Sequence, residues 1–422
     1  MRGTFAALLV AVAALTGCGG SDEEPTPTPP APERPALEVG VLEGNPNLLS
    51  PGAVPAEFVA WRDRLAALRP RYVRVLIDWE KLQPDPSAPP RFDLPSDGCM
   101  RGGPPCAPHN GIRDVLGALA ARRSAGEDGW EPVVVIYGTP DWAAREPRAA
   151  TPRGGDCGLS DRAREPDPAA YVALVRALRE EARAAGVPIR WWAPWNEPNH
   201  PAFLAPQRER CDEDSPSTSA ARYARLVDAF RTDQQPGERI LLGETAGYDA
   251  PRPSASSVTE FIDDLPRDTV CSSSVWAQHV YVAQPGGDGA SSSGAPLAGD
   301  ADASGSPELM RAVLAALDRH DCPRAHHLWL TETGAGGPRP GRDRPVDAAS
   351  LDAACEAMAD ALASWRDDRR IDVAFQYSFR EDPAFPVGLT DAQLTTLYAP
   401  YGAWEAAVTP ESTSNGCGSP SG

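Results

Sequence analysis

The order of strand-like and helix-like segments predicts an α/β fold for this chain, a single (β/α)8 TIM barrel with long loops on its catalytic face. Eight short apolar segments, each typical of a buried strand, alternate with segments whose apolar residues recur at three- and four-residue steps. Continuous apolar strands indicate a parallel sheet that is covered on both faces. Eight such units in a chain of 422 residues fit one barrel.

The strand and helix predictions begin at Leu37. An open, doubly wound sheet is the alternative architecture, but it normally has a glycine-rich phosphate-binding turn after its first strand. The first strand here is followed by Glu43-Gly44-Asn45, which is not such a turn. Strands are expected at 37–42, 72–79, 132–137, 189–195, 240–243, 275–282, 327–331 and 373–379, and helices at 58–68, 112–123, 169–185, 220–230, 307–319 and 349–365.

Long insertions follow the second, third, fourth and sixth predicted strands. In a barrel these loops all emerge at the carboxyl ends of the strands, where they can form the walls of a substrate cleft. None of them has the apolar pattern of a second domain. They span residues 83–109, 145–168, 201–219 and 284–306.

The first 35 residues are expected to lie outside the barrel. Arg2, a short apolar stretch and Leu-Thr-Gly-Cys18 resemble the signal peptide of bacterial lipoproteins, in which cleavage before Cys18 leaves a lipidated cysteine. An ordinary secretory signal with a chance cysteine is the alternative, and it would give a secreted protein. The following Pro-, Thr- and acid-rich stretch is typical of an extended spacer. We therefore expect a signal peptide at 1–17, lipidated Cys18 and a linker at 18–35, the barrel at 36–410 and a tail at 411–422, held outside the cytoplasm on the membrane.

Composition narrows the classes of partner and cofactor. The net charge of −19 argues against nucleic acid, because phosphate binding requires a basic surface. The histidines lack ligand spacing and no CxxC pair occurs, with Cys322 and His326 the nearest approach, so no metal or other cofactor is expected. Nine cysteines leave eight besides Cys18, an even number that predicts disulfides in an exported chain. The expected pairs are Cys99–Cys106, Cys157–Cys211, Cys271–Cys322 and Cys355–Cys417; the oligomeric state is not predicted.

Two glutamates that follow apolar strands are the candidate catalytic residues. Segment 192–199 reads Trp-Ala-Pro-Trp-Asn-Glu-Pro-Asn and places Glu197 after the fourth strand, beside Asn196. Segment 327–334 reads His-Leu-Trp-Leu-Thr-Glu-Thr-Gly and ends the seventh strand at Glu332. Two carboxylates at the ends of barrel strands are the groups that cleave glycosidic bonds. The alternative for Glu332 is a carboxylate that caps the start of a loop.

With these motifs the chain resembles the retaining glycoside hydrolases of clan A, most closely glycoside hydrolase families 39 and 5. In that clan the acid/base glutamate ends strand four and the nucleophile ends strand seven, the positions of Glu197 and Glu332. The resemblance implies that Arg74 pairs with the nucleophile and that Asn196 binds the sugar 2-hydroxyl. Family 39 enzymes act on β-linked glycans, so we expect a β-linked oligo- or polysaccharide as the substrate.

Further matches and one departure concern the walls of the site. The strand-six segment His279-Val280-Tyr281 resembles the clan segment whose aromatic residue lies near the nucleophile. Trp142, in the segment after strand three, is the candidate for stacking on a sugar. Strand eight lacks the platform tryptophan of the clan, and Tyr377 or Phe379 is its candidate replacement.

These residues predict double displacement, in which Glu332 attacks the anomeric carbon and Glu197 protonates the leaving oxygen. Burial and a negative neighbour are expected to keep Glu197 protonated, and Arg74 is expected to keep Glu332 ionised. The alternatives are a structural ion pair for Arg74 and a structural barrel histidine for His279. For the whole chain, they are a non-catalytic glycan-binding lipoprotein or a two-lobed solute-binding protein.

Overall fold

The computed structural model describes residues 37–95, 99, 106–145, 161–282, 307–335, 344–383, 385–409 and 414–418. Residues Ala36–Gly422 form one compact unit. The predicted signal peptide, Cys18, the linker and the whole predicted insertion at 284–306 lie outside the described residues, as do parts of the predicted insertions at 83–109 and 145–168. Within the described ranges, no helix is both long enough and apolar enough to cross a membrane.

Nine parallel strand segments form the barrel, in the order β5-β4-β3-β2-β1-β9-β8-β7-β6. Only Leu241 separates β5 from β6, and the two occupy one barrel position, since β5 pairs with β4 and β6 pairs with β7. The predicted eight-stranded TIM barrel is therefore confirmed. The segments are β1 (Glu38–Leu42), β2 (Tyr72–Asp78), β3 (Glu131–Tyr137), β4 (Trp191–Ala193), β5 (Arg239–Ile240), β6 (Leu242–Thr245), β7 (Val275–Val282), β8 (His327–Ala335) and β9 (Ile371–Tyr377).

The six predicted helices are all present, with ends within three residues of the prediction. The best-defined ends have clear signals: Asp167 caps one helix by accepting from the N–H groups of Ala169 and Ala170, and Gly186 ends it with φ of 84°. The described helices are α1 (Pro46–Leu49), α2 (Ala56–Ala67), α3 (Trp79–Leu82), α4 (Ile112–Ser124), α5 (Pro168–Ala185), α6 (Ser219–Asp233), α7 (Val258–Asp263), α8 (Arg267–Val270), α9 (Pro307–Asp318), α10 (Ala348–Asp367) and α11 (Pro400–Val408).

Two strand predictions were wrong in length. β4 is only three residues long, and Pro194, which follows it, has no N–H to continue the ladder. β8 continues to Ala335 instead of ending at Glu332, because Gly334 and Ala335 still pair with β7. Glu332 therefore lies within a strand, where its backbone is paired with His279 of β7.

Aromatic side chains fill the barrel below the site. The ring of Trp329 lies 4.4 Å from that of Trp191 and 4.5 Å from that of Tyr72. Gly40 leaves room for this layer, since a Cβ atom there would lie 2.2 Å from the ring of Phe375. Arg74 follows Tyr72 by two residues on β2, so it points into the barrel one layer nearer to the carboxyl ends of the strands.

Three of the predicted disulfides are confirmed: Cys99–Cys106, Cys271–Cys322 and Cys355–Cys417. Cys211 is also disulfide-bonded. Its predicted partner, Cys157, lies outside the described residues.

Candidate active site

Five charged or titratable side chains from five barrel positions meet at the carboxyl ends of the strands; we call them the carboxylate cluster. Only two of its members retain exposure: the side chain of Glu197 is 15% exposed and that of Glu332 is 11% exposed. The other three are at most 1% exposed. The members are Arg74 on β2, Glu197 after β4, Glu244 on β6, His279 on β7 and Glu332 on β8.

Arg74 joins three of the polar side chains. Its Nη1 donates to Oε1 of Glu332 (2.6 Å), and its Nη2 donates to Oε2 of Glu244 (2.5 Å) and Oδ1 of Asn196 (2.7 Å). Burial alone lowers the pKa of Arg74, but the charges of Glu244 and Glu332 raise it overall. The guanidinium group is therefore a permanent charge that orients both carboxylates through charge-assisted hydrogen bonds.

His279 lies between the carboxylates. Its Nδ1 is 2.7 Å from Oε1 of Glu197 and 3.5 Å from Oε2 of Glu332, and its Nε2 is 3.0 Å from Oε2 of Glu244. Burial lowers the pKa of His279, but the charge of Glu332 and the hydrogen bonds to Glu197 and Glu244 raise it to about 10. The ring is therefore an imidazolium at neutral pH, with a donor toward each side.

The charge expected on Glu197 was wrong. Burial raises the pKa of Glu197, but the hydrogen bond and the charge of His279 outweigh burial, and the pKa is lowered overall. The sequence analysis considered burial and a negative neighbour, whereas a positive ring lies in direct contact. In this arrangement the proton of the Glu197–His279 pair belongs to the imidazolium, one hydrogen bond away from Glu197.

Glu244 is a member of the site that the sequence analysis did not identify. A bulge in the pairing of β6 with β7, between Gly243 and Thr245, turns its side chain into the barrel. Gly243 is required there, because its φ is 92° and a Cβ atom would lie 2.6 Å from the carbonyl oxygen of Ala277. The available signal was a Glu-Thr pair at 244–245, which repeats the Glu-Thr pair at 332–333.

Backbone geometry also marks Glu197 and Glu244. Both have positive φ, 38° and 54°, in the left-handed region that non-glycine residues rarely adopt and that is common at functional sites. The N–H of Glu197 donates to the carbonyl oxygen of Glu244 (2.8 Å). The end of β6 therefore fixes the backbone of the glutamate that follows β4.

An aromatic wall lies beside Glu332. The hydroxyl of Tyr281 donates to Oε2 of Glu332 (2.5 Å), and burial and the charge of Glu332 raise the pKa of Tyr281 well above its usual value, so it remains a donor. Its ring is 4.7 Å from that of Phe385 and 6.4 Å from that of Tyr377. Of the two candidate replacements for the platform tryptophan, only Tyr377 borders the site in this way, because Phe379 is fully buried in the core.

Trp142 packs beside Gln83 and Trp79, and its role in sugar binding stays a prediction. Its Nε1 donates to the carbonyl oxygen of Gln83 (2.9 Å), and its ring meets the buried ring of Trp79 edge-on at 5.7 Å. None of these described contacts reaches the carboxylate cluster. The fold brings the remaining sequence candidates together at the carboxylate cluster. They are Glu197, Glu332, Asn196, Arg74, His279 and Tyr281.

Three donor atoms, one each from Glu197, His279 and Glu332, lie within 4.8 Å of one another, a spacing that a cation could use. Each is already engaged: Glu197 bonds to His279, and the two oxygens of Glu332 accept from Arg74 and Tyr281. A protonated imidazole has no lone pair for a metal. We therefore interpret the group as a proton-sharing network.

Comparison with known proteins supports the fold. No protein-family model and no curated protein matches the chain. The chain is similar to SrfJ from Salmonella typhimurium, at 9% identity over 88% of this chain and 74% of that chain, with a TM-score of 0.51. It is similar to a calcium-binding mutant of Bacteroides uniformis beta-glucuronidase 2, at 12% identity over 90% of this chain and 35% of that chain, with a TM-score of 0.50.

A GH5_18 protein from Bifidobacterium longum subsp. infantis also matches, at 17% identity over 88% of this chain and 78% of that chain, with a TM-score of 0.49. This chain spans about a third of the length of the beta-glucuronidase. At these identities the likeness to SrfJ and to the beta-glucuronidase shows a shared fold and no more.

Proposed function

We propose that this protein is a retaining glycoside hydrolase that cleaves β-linked bonds of an oligo- or polysaccharide. One observation carries the proposal: of the five cluster members only Glu197 and Glu332 keep more than 1% side-chain exposure, and an oxygen of each lies within 4.8 Å of the other. Retaining enzymes place their two carboxyl groups about 5–5.5 Å apart, whereas inverting enzymes need about 6.5–9.5 Å to admit a water molecule. The short separation favours double displacement.

In the first step an oxygen of Glu332 attacks the anomeric carbon as the bond to the leaving oxygen breaks. Arg74 and Tyr281 orient this carboxylate, since each donates to one of its two oxygens. The leaving oxygen takes the electron pair of the broken bond and a proton from Glu197. Because Glu197 is ionised in the resting site, this proton reaches it from Nδ1 of His279, 2.7 Å away, as the bond breaks.

In the second step water attacks the anomeric carbon and displaces Glu332. Glu197 removes a proton from this water and returns it to His279, which restores the starting charges. The pair Glu197–His279 therefore acts first as an acid and then as a base.

Two features support sugar binding at this place. Oδ1 of Asn196 is held by Arg74, so Asn196 presents its amide nitrogen as the donor for a sugar 2-hydroxyl. Tyr377 and Phe385, beside Tyr281, provide apolar ring surface for one face of a sugar. The named activity of the beta-glucuronidase with the same fold agrees with a carbohydrate substrate for this chain.

The proposed location is outside the cytoplasmic membrane, with Cys18 lipidated. A diacyl anchor gives stable attachment, and the 17 residues from Gly19 to Pro35 reach about 50 Å at roughly 3.1 Å per residue. This reach lets the cleft meet glycans in the cell envelope or beyond it. The proposal depends on the sequence before Leu37 alone.

The test is a screen of aryl β-glycosides and β-linked oligosaccharides, with mass analysis of the products. Wild-type protein is expected to hydrolyse at least one member, and Glu197→Ala and Glu332→Ala are expected to lose that activity. Glu43→Gln is the matched control, because Glu43 is a buried carboxylate just after β1 whose hydrogen-bond and ion-pair partners, the backbone N–H groups of Asn45 and Arg380 and the Arg380 guanidinium at 3.8 Å, lie outside the carboxylate cluster. A glycan that binds equally to wild type and both alanine variants without cleavage would instead indicate a glycan-binding protein.

A further inference from the structure

Glu244 is a buried acid at the proposed active site that no step of double displacement uses. Its side chain has no exposure, so it does not contact substrate. Burying a carboxylate is costly unless it is paired, and Glu244 is paired with both basic members of the cluster, Arg74 and His279. A residue in this place acts through those partners.

We propose that Glu244 is a positioning residue of the proposed glycosidase: it holds a hydrogen on Nε2 of His279 and so directs Nδ1, the nitrogen that exchanges its proton, toward Glu197. The proposal rests on the proposed function for its catalytic meaning. Its structural content, the placement of the hydrogens on one ring, stands independently of it.

Glu244 can only accept hydrogen bonds from its two partners. Oε2 of Glu244 receives hydrogen bonds from Nη2 of Arg74 (2.5 Å) and from Nε2 of His279 (3.0 Å). Burial raises the pKa of Glu244, but the charge of Arg74 and the contact with His279 lower it to about 2. An ionised carboxylate has no hydrogen to donate, so the contact requires a hydrogen on Nε2.

The other nitrogen of the His279 ring is Nδ1. Because Nε2 keeps its hydrogen in both charge states of the ring, Nδ1 is the site at which His279 gains and loses a proton. Nδ1 is closer to Glu197 (2.7 Å) than to Glu332 (3.5 Å). The exchangeable proton is therefore shared with the acid/base candidate and not with the nucleophile.

Glu244 controls Glu197 by two routes. Its carbonyl oxygen accepts the N–H of Glu197 (2.8 Å), and its side chain holds the ring that bonds to the carboxylate of Glu197. The bulge at Gly243 makes both contacts possible from one residue. The ring of His279 thus donates a hydrogen bond to a carboxylate on each side, to Glu244 and to Glu197. Arg74 donates to Glu244 at the buried end of this chain.

The groups that act on His279 are all charged or titratable members of the site. Glu197, Glu244 and Glu332 face the ring directly, while Arg74 and Tyr281 bond to two of these carboxylates. Removing the charge of Glu244 leaves the other four unchanged. Loss of one nearby opposite charge lowers the pKa of a basic group by about 1–3 units.

The experiment is nitrogen-15 NMR of the histidine rings as a function of pH, with His279 assigned by its loss in His279→Gln. In wild type the ring is expected to stay doubly protonated to about pH 10 and then to lose the proton from Nδ1. In Glu244→Gln the ring is expected to titrate about 1–3 units lower. Gln preserves the shape of the site, because the Oε1 atom that its amide group replaces has no hydrogen-bond partner in the described part of the chain.

Two further variants complete the set. Glu244→Asp keeps the charge and is expected to retain most of the raised pKa of His279, whereas the control Glu43→Gln is expected to change nothing in the ring signals. The proposal is overturned if wild-type His279 loses its proton from Nε2, or if Glu244→Gln shifts the titration by less than about 0.3 units. The wild-type measurement decides the question even if a variant does not fold.

Kinetics then separate this proposal from the proposed function. At a pH above the lowered pKa of His279 in the variant and below that of wild type, Glu244→Gln is expected to lose about tenfold or more in kcat on alkyl glycosides, which need a proton, and much less on dinitrophenyl glycosides, which do not. Equal loss on both classes would make Glu244 a structural residue. If no glycoside is hydrolysed by wild type while the NMR result holds, the proposed function fails and the positioning role stands.

Discussion

Tyr281→Phe tests how the proposed nucleophile is held. The substitution removes only the hydroxyl that donates to Oε2 of Glu332 at 2.5 Å. The ring remains and keeps its contacts with Phe385 and Tyr377. The change therefore isolates one hydrogen bond to the carboxylate.

The magnitude follows from the type of bond. A hydrogen bond to a charged group contributes about 1.5–3 kcal/mol, and about 1.4 kcal/mol corresponds to a factor of ten in rate. No discount for solvent is needed, since Tyr281 is buried. We expect kcat/KM to fall about 10- to 150-fold and the free energy of unfolding to fall by about 1.5–3 kcal/mol, since the same bond is lost in both cases.

The assay is steady-state kinetics on whichever aryl glycoside the screen identifies, together with thermal unfolding. Tyr401→Phe is the matched control, because Tyr401 also donates a buried hydroxyl, to the carbonyl oxygen of Arg64 (3.0 Å), but lies on α11 away from the cluster. It is expected to leave kcat/KM unchanged. A loss below about twofold in Tyr281→Phe, or an equal loss in the control, would refute the role given to this hydroxyl.

Three other predictions concern the carboxylates, pH and location. Glu332→Ala should lose turnover and regain some activity with added azide, whereas Glu197→Ala should keep activity only on substrates with good leaving groups; equal loss on all substrates without rescue contradicts both roles. The stabilisation by protonated His279 is complete below its unfolded-state pKa of 6.5 and is lost as pH rises to about 10. The stabilisation by ionised Glu244 is complete above its unfolded-state pKa of 4.5 and is lost as pH falls to about 2. The thermal midpoint of wild type should therefore be highest between about pH 4.5 and 6.5 and should fall at lower and at higher pH. In Glu244→Gln the fall at acid pH should be smaller. A wild-type midpoint that does not fall above pH 7 would contradict the charge assigned to His279. Membrane fractionation should place wild type with the membrane and Cys18→Ser with the soluble fraction; an unchanged distribution would favour simple secretion.

The fold and the two exposed glutamates were predictable because both depend on repeating patterns. Eight apolar strands fix a barrel, and a barrel brings the ends of its strands to one face, so Glu197 and Glu332 had to be near each other. Arg74 was predicted from the resemblance to clan A, and its place two residues after the barrel-facing Tyr72 agrees with that prediction.

Glu244 and the charge of Glu197 depend on local geometry that no periodic pattern shows. The bulge at Gly243 changes which residue of β6 faces the barrel, and alternation along a strand does not reveal a bulge. The lowered pKa of Glu197 depends on a distance of 2.7 Å to a ring from a different strand. Trp142 packs edge-on against Trp79, and its stacking on a sugar stays a prediction.

Covalent trapping tests the central claim most directly. Wild-type protein is incubated with a panel of activated 2-deoxy-2-fluoro-β-glycosides, and the labelled peptide is identified by mass spectrometry after digestion. Double displacement predicts one added sugar, carried by Glu332, and no label in Glu332→Ala. A label on Glu197 or Glu244 would contradict the assignment of the nucleophile, and turnover with inverted products and no label would contradict the retaining mechanism.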